Sequence, residues 1–154
     1  MEDTDRVYLA VQWGAILDRC LSIADRLPIG RDAEDALAKL QRELRELAAC
    51  EPDTLAAWLE AGDCMYYAVK AARGDDIGWV DAIRTISTVC ADAGIHVFDA
   101  IVVLEAKYDE RLRTRKKDAV QEQHAALTAL RMGIFHQAGI RVKGNVCTPK
   151  AKSW

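Results

Sequence analysis

Residues 37–69, LAKLQRELRELAACEPDTLAAWLEAGDCMYYAV, decide the fold. Leu37, Leu40, Leu44 and Leu47 recur every three or four residues, which is the period of an α-helix with one apolar face. Pro52 stops that helix, and Asp53 or Thr54 offers a side-chain cap to the next. Leu55, Trp58, Leu59, Gly62, Met65, Tyr66 and Val69 then form a second apolar stripe. A connection this short predicts that the two helices pack antiparallel.

Outward from this pair the same period continues. A helix is predicted over residues 6–27, closed by Pro28 and Gly30, and the leucine-striped helix spans about 32–50. The third runs to about 73, a fourth covers 79–93 with Gly94 past its end, and a fifth starts near Val97 and continues through the charged stretch to Lys117. A last helix is predicted over 125–135. Nine Gly and three Pro are too few to punctuate a sandwich of many short strands. The expectation is an all-α bundle of five to six helices, one domain over 1–139, followed by a basic irregular tail over 140–154. No apolar run reaches the ~20 residues a membrane helix needs, and the acidic start over residues 1–6 is unlike a secretory signal. Five cysteines include no C-x-x-C pair; Cys20, Cys64 and Cys90 fall among apolar neighbours and predict small buried hydrophobes in a reducing cytoplasm, and no closely spaced Cys/His pairs offer a zinc site.

Charge is unevenly placed. All 24 acidic residues lie at or before Glu122, whereas Arg131, Arg141, Lys143, Lys150 and Lys152 follow it with no acid among them. The acids include two pairs at i, i+3: Glu43 with Glu46, and Glu60 with Asp63. Each pair points from one helix face. Glu43 and Asp63 lie about 80° from the middle of their own apolar stripes, so they border the helix–helix seam. Carboxylates crowded at a seam repel one another, and a hard cation such as Mg²⁺ relieves the repulsion while keeping room for phosphate oxygens. Further on, Lys107 and Arg111 stand at i, i+4 on a charged face. Cations so placed suit polyphosphate oxygens, and on such a face their replacement is expected to cost little stability.

Taken together, these motifs resemble the MazG-like all-α nucleoside triphosphate pyrophosphohydrolases. The likeness covers roughly residues 30–115. It rests on ExxE, here Glu43 and Glu46; on ExxD, here Glu60 and Asp63; on the turn Ala93-Gly94-Ile95; and on the run Lys107-Tyr108-Asp109-Glu110-Arg111-Leu112-Arg113. Arg42 stands where the family often carries a further Glu, and the stretch around Gly74–Gly78 looks inserted. The resemblance implies that Glu43, Glu46, Glu60 and Asp63 hold Mg²⁺ or Mn²⁺, and that Glu43 or Glu46 takes a proton from the attacking water. It also implies that Lys107 and Arg111 hold the phosphates and that an NTP or dNTP is cleaved to the monophosphate and pyrophosphate. Tyr67, near the carboxylate side of its helix, is the best base-stacking candidate. The family's members are usually dimers or larger, and the wide apolar stripes fit a core completed by a second copy, with Trp13, Ile16, Leu17 and Val69 as interface candidates. The competing expectation is a non-catalytic helical interaction or nucleic-acid-binding protein that uses the basic C-terminal region. The acidic body and the lack of a helix-turn-helix or zinc-finger signature count against nucleic acid.

Overall fold

The computed structural model describes residues 3–26 and 35–137, with side chains over 12–26 and 35–132. These residues form six helices: α1 (Asp3–Arg26), α2 (Ala36–Ala48), α3 (Leu55–Arg73), α4 (Trp79–Ala93), α5 (Val97–Thr114) and α6 (Ala119–Gln137). No strand occurs among them. Among the described residues no single helix is long and apolar enough to cross a membrane. The basic tail over 140–154 lies outside the described residues.

The third helix is the hub. It packs against α1, α2, α4, α5 and α6, and Leu55, Trp58, Ala61, Cys64, Met65, Ala68, Val69 and Ala72 on it are all buried. Five of those eight residues are small or thin, which lets neighbours approach from several sides. At Gly62 the approach is closest, because an added Cβ would stand 3.2 Å from Leu104 Cβ of α5. Trp58 fills the centre without exposure, and its indole Nε1 donates to Ala93 O at 3.1 Å, so its one polar atom is satisfied. Ile16, Cys20 and Ile23 of α1, Leu40 of α2, Ile86 and Val89 of α4, Ile101 and Leu104 of α5 and Leu130 of α6 pack into the same core. Ile16 and Val69, named above as interface candidates, are buried within the single chain; Trp13 and Leu17 are partly buried against the same core.

Helix ends follow their caps. Thr54 accepts from Ala57 N at 3.2 Å and donates to Glu51 O at 2.8 Å, so Thr54 and not Asp53 caps α3. Gly94 ends α4 at φ 74°, and Ile95 N donates back to Cys90 O at 3.0 Å. From there the chain turns by 90° into α5. Several boundaries differ from the sequence expectation. The fifth helix stops at Thr114, where Arg115 takes a left-handed conformation, instead of running on to Lys117. The sixth begins at Ala119, six residues early, because Asp118 Oδ1 accepts from Val120 N (3.1 Å) and Gln121 N (3.2 Å). The first helix begins at Asp3, and α6 extends to Gln137.

The 94 position generates a stability prediction. A Cβ there would meet Asp53 Oδ1 at 1.8 Å, and the positive φ is itself unfavourable for a side chain. Gly94→Ala should therefore lower unfolding free energy by about 1–3 kcal/mol, measured by urea denaturation. On an Asp53→Gly background, which removes the clashing carboxylate, the same substitution should cost less.

Candidate metal and phosphate site

On α2, Glu43 shares a face with buried Leu40 and Leu47, three residues before and four after it, so the helix that buries the leucines carries the carboxylate into the α2–α3 seam. On α3, Glu60 and Asp63 are one turn apart on a helix enclosed by its neighbours. The result is a cluster in which Glu43, Glu60 and Asp63 each offer a carboxylate oxygen, all within 4.8 Å of one another. Glu43 and Asp63 are buried and Glu60 is partly buried.

The oxygens are unequally satisfied. Asp63 accepts from Lys107 Nζ at both oxygens, at 2.9 and 2.7 Å. Glu43 Oε1 accepts from Arg42 Nη2 at 3.3 Å. Glu43 Oε2 and Glu60 Oε2 are buried without a hydrogen-bond partner. Buried polar atoms are ordinarily paired, so two orphan oxygens facing one cluster need an explanation.

Burial sets the electrostatics. It pushes the Glu60 carboxyl up to about 9, with Glu43, Asp63 and Glu46 adding to the shift. It also raises Glu43 and Asp63; at Asp63 the ammonium of Lys107 opposes the rise. With no cation present the three carboxyls do not all ionise near neutrality, and Glu60 is the one that keeps its proton. Cys64, beneath the same carboxylates, is pushed up by burial and by them, and stays a thiol.

The remaining predicted residues surround this cluster. Glu46, with its side chain 49% exposed, lies at the rim outside the group of three, 4.0 Å from Arg42 Nε. Tyr67 is half-buried, edge-on to Tyr66 at 5.0 Å between ring centres. Lys107 and Arg111 share a face of α5, but it is not the solvated face expected. Their side chains are 14% and 19% exposed: Lys107 reaches inward to Asp63 of α3, and Arg111 is met by Glu122 of α6, which starts early. Arg111 donates from Nε (3.1 Å) and Nη2 (3.0 Å) to Glu122 of α6, a buried residue that the sequence reading did not single out. Tyr108 lies between the two cations, its ring centre 5.6 Å from Lys107 Nζ and 5.1 Å from Arg111 Cζ. Lys70, also not singled out, is buried one turn beyond Tyr66 and Tyr67, its ammonium 5.3 and 5.8 Å from their ring centres.

Two predictions follow from burial. Lys107→Ala leaves the Asp63 charge buried without its ammonium, and should cost about 2–4 kcal/mol in urea denaturation, in place of the small loss expected of a surface lysine. The second concerns pH. The folded Glu60 carboxyl titrates near 9, far above the ~4.3 of an unfolded glutamate. Between those values the folded state binds more protons than the unfolded state, so stability falls as pH rises. In chelator-treated protein the melting temperature should fall between about pH 5 and 9, and Glu60→Gln should flatten that slope.

No protein-family model, curated protein or solved structure matches the chain, so the functional reading rests on the carboxylate cluster and the cations around it.

Proposed function

We propose that the chain is a Mg²⁺-dependent nucleotide pyrophosphohydrolase that cleaves an NTP or dNTP to the monophosphate and pyrophosphate. The observation that carries this reading is the trio Glu43, Glu60 and Asp63, each with a carboxylate oxygen within 4.8 Å of the others', in which Glu43 and Glu60 each also have a buried oxygen that no donor elsewhere among the described residues reaches. The donor set fits the ion. Every donor is a hard carboxylate oxygen, as Mg²⁺ and Mn²⁺ prefer, and the thiol of Cys64, held protonated, does not compete as a soft ligand.

In this proposal Glu43, Glu60 and Asp63 hold the metal. Bound there, Mg²⁺ supplies charge neutralisation for phosphate oxygens and an acidified water. Lys107 keeps Asp63 ionised and oriented; an ammonium has three donors, and one not spent on Asp63 is available to a phosphate oxygen. Arg111 turns its unused donors to the other phosphate oxygens. Glu46, at the open rim beside Glu43, accepts the proton of the water that attacks the α-phosphorus. The bond from that phosphorus to the bridging oxygen breaks, and pyrophosphate leaves with its charge spread over the two cations. The half-buried Tyr67 offers a ring face to the base. A homodimer or larger assembly belongs to the same proposal; Ile16 and Val69 are spent in the single chain's own core, which leaves the partly buried Trp13 and Leu17 as its contact candidates.

The direct assay incubates purified protein with each NTP and dNTP plus Mg²⁺ and measures pyrophosphate. At least one should yield pyrophosphate and a monophosphate, and Glu60→Gln should reduce the rate by about 100-fold or more, the scale of losing an electrostatic catalytic element. Millimolar Mg²⁺ should raise the wild-type melting temperature but not that of Glu60→Gln, because the ion stabilises only a state that binds it. No pyrophosphate from any nucleotide, together with a melting temperature indifferent to Mg²⁺ and Mn²⁺, would overturn the proposal.

A further inference from the structure

We infer that Glu122, on α6, is a positioning residue for triphosphate binding, aiming the guanidinium of Arg111 at the phosphates. The inference rests on the pyrophosphohydrolase reading, in which Arg111 contacts phosphate oxygens.

The geometry fixes Arg111 from two directions. Glu122 is 5% exposed, and its two carboxylate oxygens accept from Arg111 Nε at 3.1 Å and Nη2 at 3.0 Å. The buried ring of Tyr108 lies 5.1 Å from Arg111 Cζ. A guanidinium has five donors in a rigid planar fork; two are committed to Glu122, and the other three, in the same plane, remain on Nη1 and Nη2. The same Tyr108 ring borders Lys107, whose ammonium holds Asp63. An unbroken run of contacts therefore joins Glu122 on α6, through Arg111, Tyr108 and Lys107 on α5, to a carboxylate of the cluster on α3.

Charge and orientation make opposite predictions for this residue. Glu122 is an anion near a site for a polyanion. By Coulomb's law alone, its removal should tighten triphosphate binding. If its work is to orient Arg111, removal should weaken binding, because the guanidinium then has to be ordered by the ligand itself. A carboxylate that only anchors α6 should change thermal stability and leave binding alone.

The test uses the full-length chain, the nucleotide it hydrolyses fastest, and calorimetric binding of inorganic pyrophosphate with Mg²⁺. Glu122→Gln should raise KM and the pyrophosphate Kd about tenfold, with kcat changed less than about threefold, as expected for lost orientation of one bidentate contact. Arg111→Lys should do the same. The double substitution should be no worse than Arg111→Lys alone, since both act through one group. Leu130→Ala, which loosens α6 at a buried apolar position, should lower the melting temperature without moving KM. An unchanged or lower KM in Glu122→Gln, or an equal KM rise in Leu130→Ala, overturns the inference. If Glu122→Gln fails to fold, Glu122→Asp, which keeps the charge but withdraws it by one methylene, should raise KM likewise; an unchanged KM there also overturns it. A wild-type chain that hydrolyses no nucleotide and binds no pyrophosphate overturns the pyrophosphohydrolase reading itself, and is thereby told apart from the failure of Glu122 alone.

Discussion

One helix is asked to be two things, and the rest of the structure answers to that demand. The third helix is the centre of the apolar core, and it also carries Glu60 and Asp63. Whatever packs around Ala61, Cys64 and Ala68 also removes water from the carboxylates beside them. Isolated ionised carboxylates are too costly to bury, so each has to find a partner or keep its proton. Asp63 takes the first course, with both oxygens on Lys107. Glu60 takes the second. Glu43, arriving from α2, is satisfied at one oxygen only.

The packing that creates this situation is made by small residues. Gly62, between Glu60 and Asp63 in sequence, lets Leu104 come within ordinary contact of the α3 backbone. That approach sets Lys107, three residues on, at the level of Asp63. A larger residue at 62 would push α5 away and lengthen the Lys107–Asp63 ion pair. The tight α4–α5 turn acts at the other end. Gly94 accepts a left-handed conformation against Asp53, and Asp53 N donates to Ala93 O at 2.9 Å. The start of α3, the end of α4 and the start of α5 are thus fastened together, and α5 is held in register against α3.

Much of this was legible before any coordinates. The leucine spacing of α2 and the mixed stripe of α3 located both helices, and i, i+3 geometry placed Glu43, Glu60 and Asp63 at their seam. These signals are local, and local periodicity is what a sequence displays most openly. Glu46 shows the limit of the same rule: at i+3 from Glu43 it shares a broad face, yet Glu43 turns inward and Glu46 stays at the rim. The burial of Lys107 and Arg111 was not legible, because it depends on a non-local partner. The charged run 105–117 looks like one continuing helix, and only the turn at Arg115 brings α6 back over it. A signal for that turn was present. Asp118 followed three residues later by Gln121 is a capping pattern, and with α6 begun at 119 the residues Glu122, Ala126 and Leu130 fall on one inward stripe. A helix begun at 119 thus carries Glu122 in its first turn, where it meets Arg111.

The charges near the cluster constrain what it can hold. Glu43, Glu60 and Asp63 contribute three negative charges when fully ionised, and Lys107 returns one. Arg111 is neutralised by Glu122, and at the rim Arg42 is shared between Glu43 and Glu46. Two negative charges are therefore left largely uncompensated in a dehydrated space, and the raised Glu60 carboxyl is how the chain on its own removes one of them. A monovalent ion would leave the other in place. A divalent ion would balance both, allow Glu60 to ionise, and take the place of the proton that Glu60 shares with Glu43 in its absence. By the same arithmetic an ion held there would have to displace the Glu60 proton, so its binding would depend on pH. The charge balance also explains why Lys107 belongs in the cluster. Without that ammonium the cluster would keep one negative charge even with a divalent ion bound, and that charge would repel a phosphate.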